Sequence, residues 1–205
     1  MKRKAYLLVF DGLADWEPAH ALCEINKSEK FDVVGVGFSG EPIRTMGGLK
    51  LIPEITIGDV NPAGAGIFIM PGGEMWEQKS DENLIRLLHQ LHEESVPIGA
   101  ICGATLEIAR AGLTRNLRHT SNAKEYLKGM VPDYIDEEFY VNELAVADKN
   151  VITASGLGSV EFGREVIRQL SIYNEADTQV WFEMFKHGVL PASEAVEQHV
   201  AGDAQ

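Results

Sequence analysis

The residue best suited to chemistry in this sequence is Cys102. It directly follows the apolar run of residues 96–101 and precedes a helix-like stretch at residues 106–111. This order predicts a strand, a sharp turn and a helix, which is the arrangement of a nucleophile elbow, and small Ala100 and Ala104 let the turn close. A thiol at a helix N-terminus is also expected to favour the thiolate. The sequence therefore predicts a reactive thiol, against the alternative of a buried structural cysteine.

Two glycines provide candidate backbone N–H donors for chemistry at that thiol. Gly72 and Gly73 follow the apolar run of residues 66–70. Their backbone N–H groups are not obstructed by side chains. With the N–H of Gly103, they are predicted to form an oxyanion hole for a tetrahedral intermediate. The alternative is a plain Pro-Gly-Gly turn.

An acidic residue is predicted to lie near the same place. Glu17 falls early in the first predicted helix, beside the strand end that should neighbour the elbow. A carboxyl close to a thiolate forms a like-charge pair, so the two groups are expected to share one proton. Glu17 would then donate to the sulfur or pass protons to a substrate. The alternative is an acid that merely satisfies the helix dipole.

These residues need a sheet to bring them together. The predicted strands are continuous apolar runs, which is typical of strands covered on both faces. They lie at residues 5–10, 31–38, 66–70, 98–101 and 151–154. Helix-like stretches separate them, and the resulting alternation predicts a doubly wound α/β sheet with right-handed crossovers. In such sheets, ligands bind outside the carboxyl ends of the strands, where the residues above are placed.

Other stretches have simpler interpretations. Residues 43–46 and 49–52 are predicted to form a hairpin-like excursion, and residues 139–146 are predicted to be extended. Cys23 is placed on the apolar side of the first helix and is interpreted as a core residue. The apolar residues of the predicted helix at 176–187 are interpreted as core, with a lid or a dimer surface as the alternative.

Composition sets broad limits. The chain has 205 residues, of which 45% are hydrophobic and 24% charged, with a formal net charge of -13. We predict one domain over residues 1–190 and a flexible C-terminal tail at 191–205, where the sequence is small and polar. The acidic charge argues against nucleic acid and anionic membranes as partners. Two cysteines and no zinc-like spacing predict no disulfide scaffold, metal or cofactor, and a cytoplasmic location.

Three separated motifs together resemble a known family. Residues 15–17 (DWE), 70–73 (MPGG) and 100–103 (AICG), in this order, are similar to the ThiJ/PfpI superfamily, which contains DJ-one. The likeness covers most of the chain and is strongest to the bacterial class I glutamine amidotransferase-like branch. It implies a flavodoxin-like three-layer α/β/α sandwich with a mostly parallel sheet, and a homodimer.

The resemblance also implies roles for individual residues. Cys102 is implied as the nucleophile or redox thiol, Glu17 as its acid partner, and Gly73 and Gly103 as oxyanion donors. Gly103 itself departs from the pattern, because many proteases of the superfamily place a histidine directly after the cysteine. Beyond the elbow helix the candidate base is His119, although Ser121 or Asn122 lies nearer the usual place. A complete Cys-His-acid triad is not demonstrated.

The sequence leaves three functions open. The first is an enzyme in which Cys102 attacks a small carbonyl or amide, as an amidase- or protease-like hydrolase or as a cofactor-independent glyoxalase. The second is a redox-sensing stress-response protein in which Cys102 is oxidised to a sulfinate. The third is a scaffold with a vestigial site.

Overall fold

A central sheet positions every residue considered above. The computed structural model describes residues 2–190 of the chain. Its strands are β1 (Arg3–Val9), β2 (Phe31–Gly37), β3 (Ile43–Arg44), β4 (Lys50–Leu51), β5 (Ile55–Thr56), β6 (Ala65–Met70), β7 (Ile98–Ile101), β8 (Ala145–Asp148) and β9 (Val151–Ala154). Seven of them form one sheet in the order β5-β2-β1-β6-β7-β9-β8. All pairs in this sheet are parallel except β8 with β9.

Helices cover both faces of the sheet. They are α1 (Trp16–Lys27), α2 (Met75–Gln78), α3 (Glu82–Glu93), α4 (Thr105–Arg110), α5 (Lys124–Met130), α6 (Ser159–Gln169) and α7 (Glu175–His187). One apolar cluster joins α3, α4 and α5 to the sheet, and a second joins α1, α6 and α7 to it. The predicted three-layer α/β/α sandwich with a mostly parallel sheet is confirmed. No helix within residues 2–190 is long and apolar enough to cross a membrane.

Local sequence explains why the elements begin where they do. All six residues of β6 are buried, as expected for a strand covered on both faces. The α3 helix begins after Asp81, whose carboxylate accepts hydrogen bonds from the N–H groups of Asn83 and Leu84 at 2.9 and 3.0 Å. Its four leucines are buried in the apolar cluster against the sheet, as an amphipathic helix requires.

The predicted hairpin is confirmed, and it is fixed to the loop between β1 and α1. Strands β3 and β4 pair antiparallel. Asp11 accepts a hydrogen bond from the N–H of Arg44 at 2.8 Å, and Asp15 accepts one from the N–H of Gly47 at 2.6 Å. Asp15 precedes α1 but makes no side-chain cap to it. Its carboxylate binds the hairpin instead.

Two expectations from the sequence are wrong. The stretch at 139–146 was expected to be extended throughout, but the strand there is Ala145–Asp148, an antiparallel edge strand that the parallel pattern did not reveal. Cys23 is exposed rather than in the core. The buried face of α1 contains Glu17 and Glu24, so an estimate from apolar residues alone misplaced that face. The predicted tail at 191–205 lies outside the described residues.

Candidate active site

Cys102 occupies a strained turn between β7 and α4. Its backbone φ is 59°, in the left-handed region that residues with a side chain rarely adopt. A short 3-10 turn, Cys102–Ala104, leads directly into α4. The hydroxyl of Thr105 donates to the carbonyl of Cys102 at 2.6 Å. The chain therefore folds here as the predicted nucleophile elbow, with the thiol partly exposed at the carboxyl end of the sheet.

Glu17 is buried beside the thiol. It lies in the first turn of α1 and only 1% of its surface is exposed. Its Oε2 accepts a hydrogen bond from the backbone N–H of Gly72 at 2.5 Å. A Cβ added to Gly156 would meet both the Sγ of Cys102 at 2.9 Å and the Oε1 of Glu17 at 3.2 Å, so the carboxyl group lies beside the thiol. The first turn of a helix and the end of β6 thus place a carboxyl group directly on the sulfur.

Both groups hold their protons more tightly than usual. Burial raises the pKa of Glu17 to about 7, although its bonds to Gly72 and Cys102 act in the opposite direction. Burial also raises the pKa of the Cys102 thiol, and the charge of Glu17 raises it further. The pair therefore carries two protons in acid and one at neutral to mildly basic pH, and that proton is shared between sulfur and oxygen.

Stabilisation of the thiolate by the helix N-terminus is therefore not the dominant influence on the pKa of Cys102. The N–H of Gly103 does bond to the sulfur and lowers the pKa of Cys102, but burial outweighs it. The expectation of a depressed thiol pKa was wrong because the sequence does not show how deeply the elbow is packed.

Asn122 is the residue that sequence reasoning placed near the site without giving it a role. Its Nδ2 donates to the Sγ of Cys102 at 3.3 Å, and its Oδ1 accepts from the N–H of Gly156 at 3.0 Å. The hydrogen bond from Asn122 lowers the pKa of the thiol. A polar residue just after the predicted candidate base was the available signal.

His119 is held away from the thiol. Its Nδ1 lies 2.7 Å from the carbonyl of Leu117, and its Nε2 lies 2.6 Å from the hydroxyl of Tyr134. A carbonyl only accepts, so Nδ1 carries the proton and Nε2 accepts from tyrosine. Burial lowers the pKa of His119, which keeps the ring neutral. The structure does not bring the predicted base to Cys102, because both ring nitrogens are used in the packing of its own loop.

The predicted oxyanion glycines surround the thiol but differ in what they offer. The N–H of Gly72 is occupied by Glu17. Gly103 directly follows Cys102 in the elbow turn, and its backbone N–H lowers the pKa of the thiol. Gly73 packs against Phe10, whose ring would lie 2.6 Å from an added Cβ. Gly73 and Gly103 are therefore the glycines that remain candidates for oxyanion donors.

Glycines are required around the pair because no space is left for a side chain. A Cβ on Gly72 would lie 2.6 Å from the Oε2 of Glu17 and 2.7 Å from the Cβ of Cys102. A Cβ on Gly156 would lie 2.9 Å from the Sγ of Cys102. Real Cβ atoms do not approach so closely, so both positions need the close backbone approach that glycine allows.

A tryptophan forms the wall next to the elbow. Trp76 is buried, and its Nε1 donates to the carbonyl of Pro71 at 2.9 Å. The ring of Phe10 packs edge-on against it with the centroids 5.4 Å apart. Arg110 of α4 donates to the carbonyl of Trp76 at 2.8 Å. These contacts tie the loop after β6 to the elbow helix and keep Gly103 against the indole.

A small open cavity of about 320 Å³ lies beside this wall. It is lined by Asp11, Gly12, Met46, Glu74, Met75 and Gln78. The oxygen of Gly12 would meet a Cβ on Gly73 at 2.9 Å, so the cavity adjoins the loop of the predicted oxyanion glycines. Within residues 2–190, no cluster of three or more His, Cys, Asp or Glu side chains is arranged to hold a metal ion.

The fold and the site define a class of protein. A parallel-sheet sandwich carries a cysteine on a strained strand-to-helix turn, with a buried carboxyl group beside the thiol. The pattern of the DJ-1/PfpI family matches residues 3–169. This chain belongs to the DJ-1/PfpI family.

Relatives and solved structures agree with this assignment. The chain is 34% identical over 191 residues to the "Uncharacterized protease YoaZ" of Bacillus subtilis, which covers 90% of this chain and 91% of that protein. It is 26% identical to the "Glutathione-independent glyoxalase DJR-1.2" of Caenorhabditis elegans, over 67% of this chain and 73% of that protein. The crystal structure of a thiJ/pfpI family protein from Bacillus anthracis superimposes with a TM-score of 0.86 at 32% identity, covering 92% of each chain.

Proposed function

We propose that Cys102 and Glu17 together convert a small, uncharged 2-oxoaldehyde into a 2-hydroxy acid. The observation that carries this proposal is the adjacent pair of a thiol and a buried carboxyl group whose pKa is about 7. A group that titrates near neutral pH both accepts and donates protons efficiently. The glyoxalase name of the nematode relative supports the same chemistry.

The reaction uses one thiol, one carboxyl group and one water. The thiol proton passes to the Glu17 carboxylate while Sγ bonds to the aldehyde carbon, and the aldehyde oxygen then takes this proton to give a hemithioacetal. Glu17 next moves the hydrogen of that carbon, as a proton, to the neighbouring ketone carbon, and the hydroxyl proton moves to the ketone oxygen. One carbon is oxidised and its neighbour reduced, which leaves a thioester. Water attacks the thioester, the C–S bond breaks, and the hydroxy acid and the thiol are released.

The surroundings favour an uncharged substrate. The cavity beside the loop of Gly73 includes the carboxyl side chains of Asp11 and Glu74, and its lining residues carry no basic group. The negative potential of this neighbouring cavity disfavours substrates that already carry a carboxylate or phosphate. It also favours release of the anionic product.

Amide hydrolysis is the second candidate activity. The name of the Bacillus subtilis relative supports it. An amide requires protonation of the departing nitrogen and, afterwards, activation of water. In this site both tasks fall to Glu17, because His119 is bonded to Leu117 and Tyr134. The geometry therefore supports carbonyl isomerisation better than cleavage of a peptide bond.

Redox sensing through oxidation of the thiol is the candidate function of a different class. The side-chain amide of Asn122 donates to the sulfur at 3.3 Å, and the Glu17 carboxyl group lies beside it. Two successive reactions with peroxide would each transfer one oxygen to sulfur and release water or hydroxide, which gives a sulfinate. The surrounding N–H groups are suited to donate hydrogen bonds to its oxygens.

The deciding experiment offers the purified protein methylglyoxal, small primary amides and dilute hydrogen peroxide in separate reactions. Formation of lactate that is lost in Cys102→Ala but kept in Cys23→Ala supports the proposal. Cys23 is the matched control because it is the other cysteine, is exposed, and lies on α1 rather than in the elbow. Ammonia release without lactate would instead identify an amidase. A Cys102 sulfinate seen by mass spectrometry, with neither product, would identify a redox protein.

A further inference from the structure

We infer that Asn122 is a third catalytic residue, an uncharged donor that stabilises the thiolate of Cys102. The inference deepens the proposed function by naming the group that takes the place of a triad histidine. It is carried by the direct contact between the side-chain amide and the sulfur, at 3.3 Å.

The orientation of the amide is fixed by the backbone. The Oδ1 of Asn122 accepts a hydrogen bond from the N–H of Gly156 at 3.0 Å. An N–H group only donates, so the oxygen must face Gly156 and the nitrogen must face the sulfur. Gly156 also lies so close to the thiol that an added Cβ would meet Sγ at 2.9 Å. One loop therefore limits the space at the sulfur and aims the donor at it.

Buried hydroxyl groups hold the Asn122 segment against the elbow. The hydroxyl of Thr105 donates to the carbonyl of Cys102 and lies 2.6 Å from the hydroxyl of Ser121. Since the Thr105 proton is used on that carbonyl, the Ser121 hydroxyl is the donor in the second bond. The neighbouring Thr120 is tied to β9, its N–H donating to the Oγ1 of Thr153 at 2.9 Å. Asn122 is thus presented by a rigid segment, as a catalytic group requires.

An amide and an imidazole have different consequences for the pH dependence of the site. Asparagine neither gains nor loses a proton in the working range, so Glu17 remains the titrating partner in contact with the sulfur. On the side of α5, burial raises the pKa of Tyr126, whose hydroxyl donates to Glu77 at 3.0 Å, and the charges of Glu77 and Cys102 raise it further. Arg110 of α4 acts on Tyr126 in the opposite direction. The site therefore depends on one shared proton and one constant donor.

The test measures the rate of Cys102 alkylation by iodoacetamide against pH, in a Cys23→Ala background. Loss of the donor should raise the apparent thiol pKa of Asn122→Ala by about one unit, and the rate at pH 8 should fall about tenfold. Asn122→Asp should shift the pKa further, because it places a negative charge at the sulfur. Asn83→Asp, the same change at an exposed position on α3, should change nothing.

Several outcomes separate the possibilities. An unchanged thiol pKa in Asn122→Ala, in a protein that unfolds at the same temperature as its parent, overturns the inference. If Asn122→Ala does not fold, Asn122→Leu, which also removes the donor but keeps a side chain of similar size, serves as the second variant and the same criterion applies. A shifted pKa without any turnover of methylglyoxal in the parent protein would support the role of Asn122 and refute the proposed function. Alkylation needs no substrate, so the two failures are distinguishable.

Discussion

The carboxyl group of Glu17 and the thiol of Cys102 meet across the missing side chain of Gly72. An added Cβ on this glycine would lie within 2.9 Å of both carboxyl oxygens and 2.7 Å from the Cβ of Cys102. The same glycine uses its N–H to hold Glu17 in place. A strand end without side chains therefore allows two groups that repel as anions to share a proton, and this shared proton determines most of the expected behaviour of the site.

The pH dependence of turnover should follow the protonation of Glu17. Below its pKa of about 7 the carboxyl group of Glu17 is protonated and does not accept the thiol proton. We expect kcat/KM for methylglyoxal to rise with pH through about 7. In Glu17→Gln this rise should vanish, and activity should fall by about 10²–10⁴-fold, the usual contribution of a general acid or base.

The same substitution should make the thiol easier to ionise. Glutamine preserves an acceptor for the N–H of Gly72, removes the negative charge beside sulfur, and offers an N–H donor instead. The alkylation pKa of Glu17→Gln should therefore fall by about one unit. If both the pH–rate profile and the alkylation pKa remain as in the parent, Glu17 is not coupled to Cys102.

Glu17 should also make stability depend on pH. Its pKa is about 7 in the folded protein, against an ordinary value of 4.5. Between these pH values the folded chain binds more protons than the unfolded chain, so the free energy of unfolding falls as pH rises from 4.5 to about 7. The loss is on the order of 3 kcal/mol. Urea denaturation of Glu17→Gln should show a stability gain over the parent at pH 8 that shrinks toward pH 5, and a constant difference would contradict this assignment.

The sequence predicted the parts of the site that lie on regular elements. Apolar runs marked β6 and β7, and the strands ended where expected, so the positions of Gly72 and Cys102 followed from simple patterns. Glu17 was placed beside them because α1 follows the neighbouring strand β1. The buried parallel strands are well encoded in this chain, since each is a short continuous apolar segment, whereas the antiparallel edge strand β8 is not.

What the sequence did not predict depends on loops and on burial. The contact of Asn122 with sulfur depends on the path of the chain between α4 and α5, which carries no periodic pattern. The raised pKa of Cys102 comes mainly from burial by residues far apart in the chain. The exposed position of Cys23 reflects two glutamates on the buried face of α1, and Glu24 is buried there with partners that include Tyr173.

His119 should prove to be a structural residue. Replacement with alanine removes two hydrogen bonds, leaves the buried Tyr134 hydroxyl without its partner and opens a void. We expect a loss of about 2–4 kcal/mol in the free energy of unfolding. The alkylation pKa of Cys102 should stay unchanged, because the ring nitrogens contact Leu117 and Tyr134. A shifted thiol pKa in a folded His119→Ala protein would contradict this prediction and show that His119 acts on Cys102.

Finally, the left-handed backbone at residue 102 should lower the stability of the folded protein, because this position carries a side chain. Cys102 has a φ of 59°, where a residue with a Cβ costs about 1–2 kcal/mol and glycine adopts the conformation freely. Cys102→Gly should therefore be about 1 kcal/mol more stable than Cys102→Ala, although both lack the nucleophile.

The matched pair at Cys23 tests the cause of this difference. Cys23 is exposed within α1, so Cys23→Gly should be less stable than Cys23→Ala by about 1 kcal/mol, the opposite sign. Chemical denaturation of the four variants measures both differences under one set of conditions. If glycine destabilises at both positions, the backbone at Cys102 is not strained. Opposite signs would show that the strain follows from the left-handed conformation, which sets the thiol at the carboxyl end of the sheet, within reach of Glu17.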